Sequence, residues 1–265
     1  MKNKKIIKVR NERMGLNQAA KSKDTFRYEA ILFDVGDTLL IRKPTPFQVL
    51  AERCQKVGIA LELSIAQAAW EQAEIWAGEQ SLREMAGVPR MPDSEFFKQL
   101  DYVALRTVFR EKADNEIWEM VSIIQPIQVE KKTWEIIKGV HEILGKLKDR
   151  SYKLGIVSNF DESLPQILEK FNLINYFDIV IASSLVGVEK PNPKILQIAC
   201  SSLKVNPRRS LYVGDHPLDV FCAKKAGMDV AWICEKSDMF PQQIHYKPDY
   251  RLSSVIHIKE LILVD

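Results

Sequence analysis

Nowhere in this chain do about 18 apolar residues run together, so no segment reads as a membrane-spanning helix. The basic N-terminus also lacks the apolar stretch that a secretion signal needs. Cysteine is scarce: Cys54, Cys200, Cys222 and Cys234 are scattered without CxxC spacing, which reads as a reduced, cytoplasmic protein. A large charge excess is missing too. The net charge of +3 is too small to imply a specific nucleic-acid partner. Residues 1–27 hold many lysines and arginines and few acids. They read as a solvated extension or a short surface helix before they read as an arm for an anionic partner, and they carry no functional assignment.

What remains is an ordinary folding chain. Its 46% hydrophobic content argues against global disorder. A length of 265 residues fits one large α/β domain, or a core domain with a smaller inserted one. The stretch YEAILFDVGDTLL, residues 28–40, organises it. Ala30–Phe33 reads as a buried strand that delivers Asp34 to its C-terminal lip, with Gly36 letting the backbone turn. A carboxylate leaving a buried strand is costly unless a cation or hydrogen-bond donors receive it.

Residues 43–132 read as helices, over 64–85, 94–111 and 115–123 among others, with Phe47, Leu50, Ala51 and Cys54 at helical spacing before them. Their aromatic residues read as the core of a small bundle. From 134 onward the texture changes. A helix over TWEIIKGVHEILGKLKD precedes strand 152–157, helix 163–171, strand 178–182, helix 193–203 and strand 211–213. Helix 219–226, strand 229–233 and a last helix near 254–262 follow. Such alternation predicts a parallel sheet covered by helices, with every strand ending on one edge. Asp34, Ser158 and Asp215, each just past an apolar strand, should therefore share one rim.

Four patterns stand in order: FDVGDTL at 33–39, VSN at 157–159, EKPNP at 189–193 and VGDHPLD at 213–219. Together they resemble the haloacid dehalogenase-like (HAD) hydrolase superfamily, over about residues 28–262. The resemblance implies an α/β fold with a Rossmann-like core, strand order 3-2-1-4-5, built from residues 28–42 and 133–265. It also implies that residues 43–132 are an inserted helical C1-type cap, and that residues 248–262, PDYRLSSVIHIKELI, form a closing strand and helix. By the same resemblance Asp34 is the nucleophile that takes a phosphoryl group from a small phosphorylated substrate. Lys190 pairs with it, Ser158 and Asn159 bind phosphate, and Thr38 binds phosphate or orients Asp34. Asp34, the Gly36 carbonyl, Asp215 and Asp219 are implied to hold Mg²⁺. Asp219 also suits a helix cap.

One position departs from the pattern. HAD phosphatases usually carry a second aspartate two residues after the nucleophile, to protonate the leaving group and later activate water. Here that position is Gly36, which has no proton to give, and the aspartate follows as Asp37. Asp37, His216 or a residue of the helical insert is the candidate replacement, unless the substrate is activated, such as an acyl or enol phosphate, and needs little acid. The resemblance thus favours a Mg²⁺-dependent phosphatase. A 2-haloacid dehalogenase, or a weakly active protein that binds a phosphorylated ligand, stands as the alternative.

Overall fold

The computed structural model describes residues 7–8, 27–129, 133–234 and 246–262. Most of the basic N-terminal extension lies outside them. Two compact units emerge, one holding the residues up to Ile41 and from Ile136 onward, the other Arg42–Glu135.

Nine strands are found among the described residues: β1 (Ile7–Lys8), β2 (Ala30–Phe33), β3 (Leu40–Lys43), β4 (Thr133–Ile136), β5 (Lys153–Ser158), β6 (Ile179–Ala182), β7 (Ser210–Gly214), β8 (Asp229–Ile233) and β9 (Tyr250–Leu252). The main sheet runs β1-β6-β5-β2-β7-β8-β9. Its six strands from β6 to β9 are parallel. Counted along the chain from β2, the first five take the order 3-2-1-4-5, as expected. At one edge β9 extends the parallel set, where a closing strand was expected within 248–262. At the other edge a strand was not anticipated: β1, within the supposed solvated extension, pairs antiparallel with β6.

Every residue of β2, β6 and β7 is buried, on both faces of the sheet. That requires cover on both sides, which is how parallel sheets are found. Cover comes from α5 (Val140–Asp149), α8 (Lys194–Leu203) and α9 (Pro217–Lys225), following the element numbering along the chain; α6 (Leu164–Lys170), α7 (Ser183–Val186) and α10 (Lys259–Ile262) are shorter.

One sequence expectation fails here. The supposed helix from 134 divides into strand β4 and then α5, which starts at Val140 after Gly139 at φ 87°. The left-handed glycine breaks the segment, and Thr-Trp-Glu-Ile suits a pleated ribbon better than a helix. β4 pairs with β3 in a separate two-stranded sheet, through which the chain leaves and re-enters the sheet-bearing unit. The Arg42 guanidinium lies 5.2 Å from the centre of the Trp134 ring.

The second unit is built from α1 (Pro46–Lys56), α2 (Leu63–Met85), α3 (Asp93–Val108) and α4 (Asp114–Ile124). Leu50, Cys54, Ala69, Ala73, Leu100, Leu105, Ile117 and Val121 form its core, with Trp70, Trp76, Phe96 and Trp118 packed against it. Inside that apolar bundle sits one carboxylate. Asp101 is 3% exposed, accepts from Arg53 at 3.3 Å and also accepts from the Gln125 amide. Burial pushes its pKa up to about 6, against the opposing pull of Arg53 and Gln125.

Because the fold holds this proton more tightly than the unfolded chain does, the resulting stabilisation is complete below about pH 4 and is lost as pH climbs through about 6. Relative to wild type, Asp101→Asn should therefore gain roughly 2–3 kcal/mol between pH 4 and pH 8. Denaturant unfolding of both proteins across that range checks this, and a pH-independent difference contradicts it.

Candidate active site

A buried ammonium holds the site together. Lys190 is 6% exposed, and its Nζ donates to Asp34 Oδ1 at 2.7 Å, to Asp219 Oδ1 at 2.7 Å and to the Tyr212 hydroxyl at 3.1 Å. Those three bonds use all three of its hydrogens. Tyr212 in turn donates to the Val157 carbonyl at 2.7 Å. Burial works to discharge Lys190, but Asp219 and Asp34 overcome it and raise its pKa well above the ordinary lysine value. Burial also raises the Asp34 carboxyl, and the Asp219 charge adds to that, while Lys190 and the Ser158 hydroxyl oppose it.

The parallel ladder explains the meeting. Phe33 is level with both Ile156 of β5 and Val213 of β7, and Asp34 donates its backbone N–H to the Val213 carbonyl at 2.9 Å. Asp34, Ser158 and Gly214-Asp215 thus leave adjacent strands at one rim. Lys190 arrives from the loop before α8, and Asn159 fastens that loop. The Asn159 side-chain Oδ1 accepts from the Lys190 backbone N–H at 2.7 Å, and its Nδ2 donates to the Lys190 carbonyl at 2.9 Å. The sequence reading gave this side chain to phosphate. The structure commits its oxygen and one hydrogen to holding Lys190.

Asp219 is fully buried in the first turn of α9. Its Oδ2 accepts from the His216 backbone N–H at 3.0 Å, completing a capping box in which His216 Nδ1 accepts from the Leu218 N–H at 3.1 Å. Gly214 makes room for this carboxylate, since a Cβ there would lie 2.2 Å from Asp219 Oδ2. Asp215 accepts from the buried Thr38 hydroxyl at 3.1 Å, so Thr38, expected at phosphate or at Asp34, orients Asp215. One carboxylate oxygen each from Asp34, Asp215 and Asp219 lies within 4.8 Å of the others. Burial raises the Asp215 carboxyl well above its usual range, and the charges of Asp219, Asp34 and Asp37 add to it. Three convergent carboxylates supply the all-oxygen donor set of a hard divalent cation, so these residues fit Mg²⁺.

The turn after β2 differs from expectation. Gly36 is outside the left-handed region, and a Cβ on it would meet no atom within 4 Å. Asp37 carries the left-handed conformation instead, at φ 50°, with its N–H donating to the Leu40 carbonyl at 2.8 Å. Asp37 is exposed, and its charge is felt at Asp215. His216 is tied differently: as the cap of α9 its Nδ1 is an acceptor, and burial lowers its pKa. It stays neutral at pH 7, with Nε2 left to carry the proton. Sequence reasoning missed Tyr212, although a tyrosine inside an apolar strand must find a partner for its hydroxyl.

A parallel sheet with carboxylates and a lysine gathered at its C-terminal rim makes this a Rossmann-like hydrolase. The chain belongs to the haloacid dehalogenase-like hydrolase family, whose match covers residues 71–233. It is 29% identical over 199 residues to haloacid dehalogenase-like hydrolase domain-containing protein 3 of Xenopus laevis, covering 74% of this chain and 79% of that protein. A phosphoglycolate phosphatase of Nitrosococcus oceani is 25% identical, over 88% of this chain and 96% of its own length. The crystal structure of a HAD phosphatase from Thermococcus onnurineus is 26% identical with a TM-score of 0.51, covering 88% of this chain and 97% of that one. No helix among the described residues is long and apolar enough to cross a membrane.

The close approach at Gly214 has a measurable consequence. Gly214→Ala should lower stability by roughly 1–3 kcal/mol, the cost of forcing a methyl group into a filled site. An unchanged denaturation midpoint would show that Asp219 moves aside freely.

Proposed function

We propose that this protein is a Mg²⁺-dependent phosphatase of a small phosphorylated metabolite, acting through a phosphorylated Asp34, with residues 42–135 as its cap. The observation that carries this reading is the buried Lys190 ammonium pinned between Asp34 and Asp219, with Asp215 completing a three-carboxylate cluster. Relatives named as phosphatases agree with it.

In this reading an Asp34 carboxylate oxygen attacks phosphorus in line, the bond from phosphorus to the leaving oxygen breaks, and that oxygen departs with the electron pair. Water then attacks the phosphorus of the acyl phosphate, releasing inorganic phosphate and the Asp34 carboxylate. Lys190 remains protonated throughout and offsets negative charge beside Asp34. Ser158 and the second amide hydrogen of Asn159 face the transferring group, while Thr38 orients Asp215. Asp34, Asp215 and the Gly36 carbonyl would hold the cation, with Asp219 supporting from behind, because both its oxygens already accept hydrogen bonds. Bound there, Mg²⁺ supplies charge neutralisation at the transferring phosphoryl oxygens.

The leaving oxygen needs a proton unless it is already a stable anion. Gly36 cannot give one, and His216 is neutral and committed as a cap, which favours Asp37 of these two candidates. Substrates with acidic leaving groups, such as acyl or aryl phosphates, suit such a site best.

Phosphate release from p-nitrophenyl phosphate should require Mg²⁺, stop with EDTA and vanish in Asp34→Asn. Activity surviving in that variant would sink the proposal. Metal-independent chloride release from 2-chloropropionate would replace it with a haloacid dehalogenase.

Gly36→Asp is the sharper experiment, because the backbone there accepts a side chain. Hydrolysis of alkyl phosphates should rise on the order of 10²-fold, the low end of general-acid contributions. The dependence of rate on leaving-group pKa should flatten with it. No gain would mean that another residue already donates the proton.

A further inference from the structure

The peptide group joining Asp215 to His216 is held at both ends. Its carbonyl oxygen accepts from the Trp232 indole Nε1–H at 2.6 Å, and its N–H donates to Asp219 Oδ2 at 3.0 Å. Trp232 reaches it through strand register. Gly214 of β7 is level with Trp232 of β8, and Trp232 is level with Arg251 of β9. The indole is 3% exposed, and the Arg251 guanidinium lies over its ring, 5.6 Å from the centre. The outer strands therefore brace one peptide plane in the loop after β7.

That plane matters because a carboxylate leaves the chain next to it and another is bonded to it. Its tilt sets where the Asp215 side chain starts, and the bond from its N–H to Oδ2 ties the same plane to Asp219. Thr38 and Lys190 hold the two carboxylates at their far ends. Trp232 holds the backbone between them. We infer that Trp232 is a positioning residue, which sets the spacing of Asp215 and Asp219 through this peptide and so tunes the affinity of the cluster for a divalent cation. This rests on the cation-assisted reading of the site given above.

The test is calorimetric titration of Mg²⁺ into the purified full chain without substrate, comparing wild type with Trp232→Phe. Phenylalanine keeps a ring beneath Arg251 and removes the donor. Groups that orient metal ligands contribute about 10–100-fold to metal affinity, so the Mg²⁺ dissociation constant should rise ~10-fold or more. The deficit in phosphatase rate should shrink as Mg²⁺ is raised, which a general loss of packing would not produce. An affinity within about twofold of wild type overturns the inference and leaves the phosphatase reading standing. Wild type that binds no Mg²⁺ overturns both.

Should the variant fail to fold, wild type supplies a second measurement. Trp70, Trp76, Trp118 and Trp134 lie within Arg42–Glu135, and Trp232 alone of the five tryptophans lies outside that unit. With ¹⁵N-labelled tryptophan, the Trp232 indole resonance, assigned through its contacts to the Gly214 and Arg251 row, should exchange slowly with solvent and shift as Mg²⁺ is added. A resonance that stays in place while calorimetry shows the site filling contradicts the inference.

Discussion

A lysine ammonium removed from water must find acceptors for all its hydrogens, and the core of this protein is arranged to supply them. Lys190 finds two carboxylates and a phenol hydroxyl, from three different elements. Removing any one would leave a buried charge short of a partner, at a cost of a few kcal/mol. The parallel pairing of β2 with β7 sets Phe33 level with Val213, so that Asp34 leaves its strand at the rim, and α9 brings Asp219 over Gly214. Asn159 locks the loop from which the lysine comes. Three carboxylates then face one ammonium. Burial raises Asp215 and the imbalance of negative charge adds to it, and that imbalance is what a divalent cation would neutralise.

Around this centre the supporting contacts fall on backbone as often as on side chains. Asn159 grips the main chain of Lys190, Trp232 the carbonyl of Asp215, and Asp219 the N–H of His216. A loop carrying functional side chains has few ladder bonds of its own, and its placement is only as exact as the groups that hold its peptides. Here Asn159 and Trp232 sit next to or on strands of the sheet, and Asp219 in the first turn of α9, so the precision of the regular elements is passed outward to the loops.

Much of the sheet was legible in the sequence because strand ends obey a simple rule: parallel crossovers deliver every C-terminal end to one edge. Asp34, Ser158 and Asp215 could be placed there from apolar runs alone. What spacing could not tell was how donors and acceptors are shared once they arrive. Asn159 was given to a ligand and Thr38 to a ligand or Asp34, yet they hold Lys190 and Asp215. Tyr212 was invisible because an apolar run hides a single hydroxyl. β3 and β4 escaped because four residues are too few to show a period, and their partner strands are some 90 residues apart.

The turn at Gly36 is where backbone and chemistry can be separated. A glycine is required where φ is positive or where another group approaches closely. Neither holds at Gly36, where a side chain would meet open space. Both the strain and the exposure fall on Asp37, which adopts φ 50° at a cost of about 1 kcal/mol, a conformation that aspartate tolerates better than most residues. The order Gly-Asp therefore places a side chain on the strained residue and none on the relaxed one. Folding does not account for that order, since the reverse order would relieve the strain. On the proposed phosphatase reading, a bare position two residues from Asp34 suits a substrate whose leaving group needs no proton.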